Sequence, residues 1–480
     1  MTNDASEDAL KCLPCRVSGV ESVKLAHDEP FVQLARRFAH LPGTVVLASG
    51  GELDCARYNI LGLRPWMTLK ATSTQTIVQW SGGEVILKLD PFSVVQRMLQ
   101  QGDLRGGTHS GPLTAGLLGY LSYDLKDCLE ELPHLSVDDL GLPQLYMAAH
   151  GIILVEDRLT RERLVHLPIV EGSESPVNDR LSWLESLLSD RVESTNEMSA
   201  SASNLVSGFS RQGYMAAVDS IRDYIAQGHV YQVNMSQRFE ATFEGDPYAL
   251  FSHLFDLNPA PFFAYVNAGD HHLVSTSPER FLLMNGREVE TRPIKGTRPR
   301  FEDSERDLQS KTALAESQKD EAELSMIVDL LRNDIGKVCC AGSVHVDEHK
   351  RLEAYQNVYH LVSIVRGRLD ENRDAIDLLR ATFPGGSITG CPKIRAMEII
   401  DELEPVCRHV YTGAIGYISF HGTMDLSIAI RTAIIHAGRL LFSVGGGVVY
   451  DSDPHEEYEE TLHKGRTLMN ALGMPKTIDP

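Results

Sequence analysis

Near its C-terminal end the chain carries three strand-like runs, 413–420, 426–435 and 439–450, separated by turns of only a few residues. Connections this short leave no room for a crossover helix, which a parallel neighbour would need. The pattern therefore favours mixed or antiparallel sheets over a doubly wound parallel fold. Helical periodicity falls between the strand-like runs, at roughly 212–227, 317–333, 392–402 and 456–472. The fold class expected is α/β of the α+β type.

At 480 residues the chain is long enough for two ordinary domains or one large one. The N-terminal part mixes short strands (44–47, 76–80, 151–155) with helices. One helix, over 176–188, gathers Leu181, Leu184, Leu187 and Leu188 on one face. The stretch 192–210 is rich in Ser, Asn, Ala, Thr and Glu and has little apolar periodicity, so it reads as a linker or long loop. The expected division is an N-terminal domain over 1–191, that linker, and a catalytic domain over 211–475.

The formal net charge of −21 argues against nucleic acid and anionic membranes as partners. No apolar run approaches the ~20 residues that cross a bilayer. Residues 1–10 lack the charged-then-apolar order of a signal peptide, and a cytosolic location is expected. Cys12 and Cys15 have redox or zinc spacing, but no second pair completes a site.

Several segments carry chemistry. Lys295 sits in the Gly/Pro-bounded turn Pro293-Ile294-Lys295-Gly296-Thr297-Arg298. Alone it is a solvated loop cation; with a depressed pKa it would be a nucleophile. Asp320 and Glu323 share one face of a helix, and Glu457 and Glu460 repeat the spacing on the last helix, with Lys464 four residues on. On their own such lines are read first as exposed salt-bridged faces. Gly445-Gly446-Gly447 lies within a strand-like run, so it is not a dinucleotide-binding turn, which opens a helix. It could equally be a bulge.

Taken in order, Gly116-Leu117-Leu118-Gly119-Tyr120-Leu121-Ser122-Tyr123-Asp124, Ser277-Pro278-Glu279-Arg280-Phe281, the Lys295 turn, the run from Ala322 to Asp334, and Phe383-Pro384-Gly385-Gly386-Ser387-Ile388-Thr389-Gly390 resemble the chorismate-utilising enzymes. The resemblance covers most of 210–472 and reaches back to Gly116. It implies the anthranilate-synthase-component-I-like fold, a complex α/β sandwich of two sheets surrounded by helices with the active site between them. It also implies one Mg²⁺ held by Glu323 and Glu460, with Asp320 and Glu457 behind them. Mg²⁺ suits one or two carboxylates completed by water and a substrate anion, and the ion would join the ring carboxylate of chorismate to an acidic wall. Tyr411, Arg431, Lys464 and the amides of Gly445, Gly446 and Gly447 would take the other substrate oxygens. His360 matches an active-site histidine of the family, although a satisfied core histidine is the alternative. Thr389 and Ser387 are pocket hydroxyls, and Glu279 corresponds to the general acid.

Within the family, the residue at 295 separates the branches. Anthranilate synthases and isochorismate-forming enzymes typically carry alanine there. Members that form 4-amino-4-deoxychorismate carry lysine, which is proposed to attack carbon 2 as water leaves carbon 4. Gln232 replaces the lysine base of the water-adding members, which disfavours water addition. Tryptophan-inhibited members carry two feedback elements; here they read Leu47-Ala48-Ser49-Gly50 and Asn258-Pro259-Ala260-Pro261-Phe262-Phe263, and both depart from that pattern. No glutamine-amidotransferase nucleophile elbow is present, so ammonia would come from a separate amidotransferase subunit. The alternatives are an anthranilate synthase large component, or a non-catalytic ligand-binding subunit that kept the fold.

Overall fold

The computed structural model describes residues 13, 16–102, 104, 111–172, 175–189 and 200–474. The cysteines at 12 and 15 and residues 192–199 of the expected linker lie outside the described residues. Every pairing between strands among the described residues is antiparallel, as the short turns require of the hairpins.

The ladder is continuous but divides into two sheets that share two long strands, Tyr58–Ala71 and Leu145–Asp157. One sheet runs outward from these through Val45–Ala48, Phe262–Asn267, His271–Ser277, Thr432–His436 and Arg439–Val448 to Gln232–Gly245. The other runs through Gly116–Leu121, Ala414–Ser419, Thr423–Ile428, Arg280–Asn285 and Glu288–Arg292 to Val358–Arg368. Strands His345–Ala354 and Ile294–Pro299 pair with that last strand.

The alternation along Leu145–Asp157 shows how the layers stack. Tyr146, Ala148, Ile153 and Val155 enter a cluster filled from both sheets, with Leu118, Tyr120, Ile415 and Tyr417 from one and Val266, Leu273, Ile434 and Leu441 from the other. On the opposite face, Leu145, Met147 and Ala149 join one outer cluster, whereas Ile152 and Leu154 join a second. The outer clusters are closed by helices, including Pro91–Gln101 and Ala375–Thr382 over one sheet and Phe31–Arg36 and Pro247–Leu257 over the other. The result is a sandwich of two sheets between helical layers.

Two elements differ from the sequence expectation. The run 426–435 is two strands, Thr423–Ile428 in one sheet and Thr432–His436 in the other. The chain changes sheets between them, at a left-handed Arg431 with φ +51°. Both pieces are buried, so the apolar run hides the break. Residues Ala200–Ser207, expected within a linker, form an edge strand against Gln232–Gly245. Its sequence, mostly Ala, Ser and Asn with Val206 exposed, carries little apolar periodicity, and tertiary pairing supplies what local propensity lacks.

Candidate active site

The proposed nucleophile lies at a backbone irregularity. Strand Ile294–Pro299 slips register against Val358–Arg368 between Lys295 and Thr297, and Gly296 takes φ +65°. Glycine adopts that conformation without steric penalty. A side chain at 296 would also meet Asp320 of helix Gln318–Gly336 at 3.0 Å. The bulge therefore lets the strand close onto the helix that carries Asp320 and Glu323. His360 locks the other side, its Nδ1 lying 3.1 Å from the Gly296 carbonyl and 3.1 Å from Thr297 Oγ1.

Helix Pro454–Ala471 brings Glu457, Glu460 and Lys464 against the triple glycine. A Cβ on Gly446 would stand 3.0 Å from Glu457 Oε2, 3.5 Å from Glu460 Oε1 and 3.7 Å from Lys464 Nζ. Lys464 Nζ pairs with Glu460 Oε1 at 2.6 Å and donates to the Gly445 carbonyl at 2.7 Å. Ser452 Oγ donates to Glu457 Oε1 at 2.7 Å. The amides of Asn234 and Ser236 donate away from this strand, to the Thr389 carbonyl and to Glu404 Oε1. Met235 is thus the residue that exchanges bonds with its register partner Gly446, and Gly445 and Gly447 face the open edge.

These elements converge on Lys295, whose charged neighbours are Glu323, Lys464, Glu279 and Glu460. Burial lowers the pKa of its ammonium, aided by Lys464 and opposed by the three carboxylates. Glu279 is 6% exposed, and burial raises its carboxyl to about 7, against the pull of Ser387, Lys295, the Ile294 amide and Arg431. Ser387 Oγ donates to Glu279 Oε1 at 2.6 Å. Burial also raises Glu323 and Glu457, each helped by nearby carboxylate charge. Burial would raise Glu460 as well, but pairing with Lys464 and the charges of Lys319 and Lys295 holds it below the usual range. Burial, then Arg431 and Lys464, press His360 down to about 3, so its ring is neutral and its buried Nε2 has no partner.

Arg431 is half-buried at the crossover between sheets, with the Tyr355 phenol and the Glu279 carboxyl as its titratable neighbours. Tyr411 and Thr389 are tied in through a different group, the buried ion pair of Arg408 and Glu404. Arg408 Nη2 lies 2.6 Å from Glu404 Oε1 and 2.5 Å from the Asn234 carbonyl, and Nη1 reaches the Ile388 carbonyl at 3.1 Å. Its guanidinium stands 5.8 Å from the Tyr411 ring. The Thr389 hydroxyl is committed to the Gly385 carbonyl at 3.1 Å, leaving Ser387 as the hydroxyl that meets the acid. Gln232 lies across Gly447, where a Cβ would come within 2.0 Å of its Nε2, and neither amide atom has a partner.

Among the described residues, no group of three or more His, Cys, Asp or Glu side chains is arranged to hold a metal ion. Glu323 makes no hydrogen bond or ion pair there, and its nearest charges are Lys295, Lys319, Asp320 and Glu460. Lys319, which no motif in the sequence singles out, acts on Glu323, Glu457 and Glu460. Its only signal was its place beside Asp320, one residue off the acidic face. The two elements matched to tryptophan feedback do come together: Leu47, Ala48, Ser49, Pro261, Phe262 and Phe263 line a cavity of about 420 Å³ between the sheets.

The architecture and this constellation have counterparts among known proteins. Residues 50–470 match the family described as chorismate binding enzyme. Aminodeoxychorismate synthase component 1 of Escherichia coli is 42% identical over 441 residues, covering 91% of this chain and 94% of that protein. Anthranilate synthase component 1 of Thermus thermophilus is 40% identical over 364 residues, covering 76% and 78%. The crystal structure of anthranilate synthase component I from Streptococcus pneumoniae superposes with a TM-score of 0.77 at 31% identity, over 87% of this chain and 93% of that one. The chain belongs to the chorismate binding enzyme family.

Proposed function

We propose that this enzyme makes 4-amino-4-deoxychorismate from chorismate and ammonia, on the route to 4-aminobenzoate and folate. The observation that carries the reading is the meeting of Lys295 with Glu279, one an amine and the other an acid, both pushed towards their neutral forms by burial. In the first step Lys295 Nζ bonds to carbon 2 of the ring, the double bonds shift, and the carbon 4–oxygen bond breaks. The Glu279 proton leaves with that oxygen as water. In the second, ammonia bonds to carbon 4, the double bonds shift back, and the bond from carbon 2 to Lys295 breaks. The carboxylate of Glu279 takes the surplus proton from the new ammonium group. Dividing one displacement into two is the usual advantage of a covalent intermediate.

Arg431 and Lys464 are suited to substrate carboxylates, and the outward amides of Gly445 and Gly447 to a further oxygen. The unpartnered Nε2 of neutral His360 can accept a substrate hydroxyl. Tyr411 and Thr389 shape the wall that Arg408 supports. Glu323 and Glu460 would hold Mg²⁺, with Asp320 and Glu457 behind them, and Gly446 suits the close approach there because a Cβ would press on Glu457 Oε2 at 3.0 Å. When bound, that ion supplies positive charge for the ring carboxylate beside an otherwise acidic wall.

Relatives named component 1 fit a two-component enzyme. The second component of this one is inferred to be a glutamine amidotransferase that delivers ammonia. No helix among the described residues is long and apolar enough to cross a membrane, and the charged, freely diffusing reactants fit a cytoplasmic enzyme.

The test is to incubate the protein with chorismate, Mg²⁺ and ammonium at mildly alkaline pH, with and without aminodeoxychorismate lyase. Formation of 4-aminobenzoate only when the lyase is present supports the reading. Anthranilate formed without the lyase, or chorismate left unchanged, overturns it.

A further inference from the structure

The acid sits on a short turn where the chain passes between the sheets, held at Glu279 by the Ile428 amide, which donates to its carbonyl at 3.0 Å, and by its own amide, which donates to Ser277 Oγ at 3.3 Å. Strand His271–Ser277 ends just before Pro278 and the next strand begins at Arg280, so Pro278 and Glu279 bridge two ladders. The Pro278 carbonyl receives the hydroxyl of Tyr355 at 3.1 Å. Tyr355 is buried at the tip of the hairpin between His345–Ala354 and Val358–Arg368. The same ring meets His360 edge-on, with centroids 5.0 Å apart and planes at 81°. Glu353, 4% exposed and paired with Arg351, lies behind the hydroxyl at 3.5 Å. One side chain therefore touches both the backbone beside Glu279 and the ring of His360.

We propose that Tyr355 is a positioning residue for the amination, its hydroxyl fixing the turn that presents Glu279 and its ring fixing His360. The inference rests on Glu279 being the proton donor of the proposed reaction. The groups facing the Glu279 carboxyl are Lys295, Arg431, the Ser387 hydroxyl and the Ile294 amide. They grip its far end, whereas Tyr355, through the Pro278 carbonyl, holds its near end together with the Ile428 amide and Ser277 Oγ. Losing the bond to the Pro278 carbonyl loosens that near end and lets the carboxyl shift from the leaving oxygen, and displacement by about 1 Å is enough to lose roughly a hundredfold in rate. The ring also fills space in a hydrophobic cluster with residues such as Phe263 and Phe442. Phenylalanine would fill that space equally, so the hydroxyl can be tested apart from packing.

The experiment measures kcat, KM for chorismate and the pH profile of amination with ammonium for the full chain, for Tyr355→Phe and for Tyr355→Leu. Thermal unfolding confirms that each variant is folded. Tyr355→Phe is expected to lose about tenfold to a hundredfold in kcat, to keep KM within about twofold, and to move the limb of the pH profile that belongs to Glu279. Tyr355→Leu, which also frees His360, is expected to raise KM as well. Wild-type kcat and pH profile in a folded Tyr355→Phe would overturn the proposal, including the case where only Tyr355→Leu is impaired. Failure of the wild-type chain to aminate chorismate would be a separate result, striking the reading of the reaction itself.

Discussion

At Lys295 the chain places a lysine where burial works against its charge and three carboxylates work to restore it. Lys295→Ala is expected to lose amination by at least ~1000-fold, as removal of a covalent nucleophile does; quantifying 4-aminobenzoate after coupling to the lyase would measure it. Glu279→Gln is expected to lose about 10²–10⁴-fold in kcat while still binding chorismate, which isothermal titration would show. The two groups together set the pH dependence. Below both pKa values Lys295 carries its proton and cannot attack; above both, Glu279 has lost the proton it must donate. kcat/KM is thus expected to trace a bell with one limb near pH 7, where Glu279 titrates; a profile flat across that region would exclude Glu279 as the acid. Both residues were legible in the sequence because each lies inside a long ordered motif. Lys319, the Ser387 bond to Glu279 and the Tyr355 hydroxyl were not, since each acts on a residue distant in the chain, and spacing carries no trace of such contacts.

Helices were the most legible elements. Arg211–Ala226, Gln318–Gly336, Lys393–Leu403 and Pro454–Ala471 fall within a few residues of their periodic patterns. The break at 429–431 was hidden, yet it is what places Arg431 between the sheets. Arg431→Lys keeps the charge but loses the planar fork that holds a carboxylate by two bonds. It is expected to raise KM for chorismate by about tenfold, in line with ~1.5 kcal/mol for one charged hydrogen bond, as read from initial rates. The Arg408–Glu404 pair joins the helix Lys393–Leu403 region to strand Gln232–Gly245 and the loop ending at Ile388. With Arg408 and Glu404 at 2% and 6% side-chain exposure, removing one partner strands the other charge. Arg408→Met is therefore expected to destabilise the fold by about 3–5 kcal/mol, as chemical denaturation would report.

On the scale of the molecule, the short turns of the sequence settled antiparallel pairing and the apolar runs settled the buried strands. What they could not convey is that Tyr58–Ala71 and Leu145–Asp157 are long enough to belong to both sheets, since that depends on which face each half covers. A sandwich joined this way brings residues from across the chain, 279, 295, 323, 431 and 460, close enough for their charges to act on one another. The net charge of −21 makes local cations essential for a dianionic substrate. Chelation with EDTA is accordingly expected to abolish turnover and added Mg²⁺ to restore it, whereas turnover surviving exhaustive chelation would remove the ion from the scheme.

The most direct trial of covalent chemistry at position 295 is mass spectrometry of the acid-quenched enzyme after exposure to chorismate and Mg²⁺ without ammonia. A chorismate-derived adduct should appear on the peptide that contains Lys295, and should vanish when ammonium is added before the quench. An unmodified peptide from enzyme that aminates chorismate at full rate once ammonium is supplied would show that the lysine never bonds to the ring.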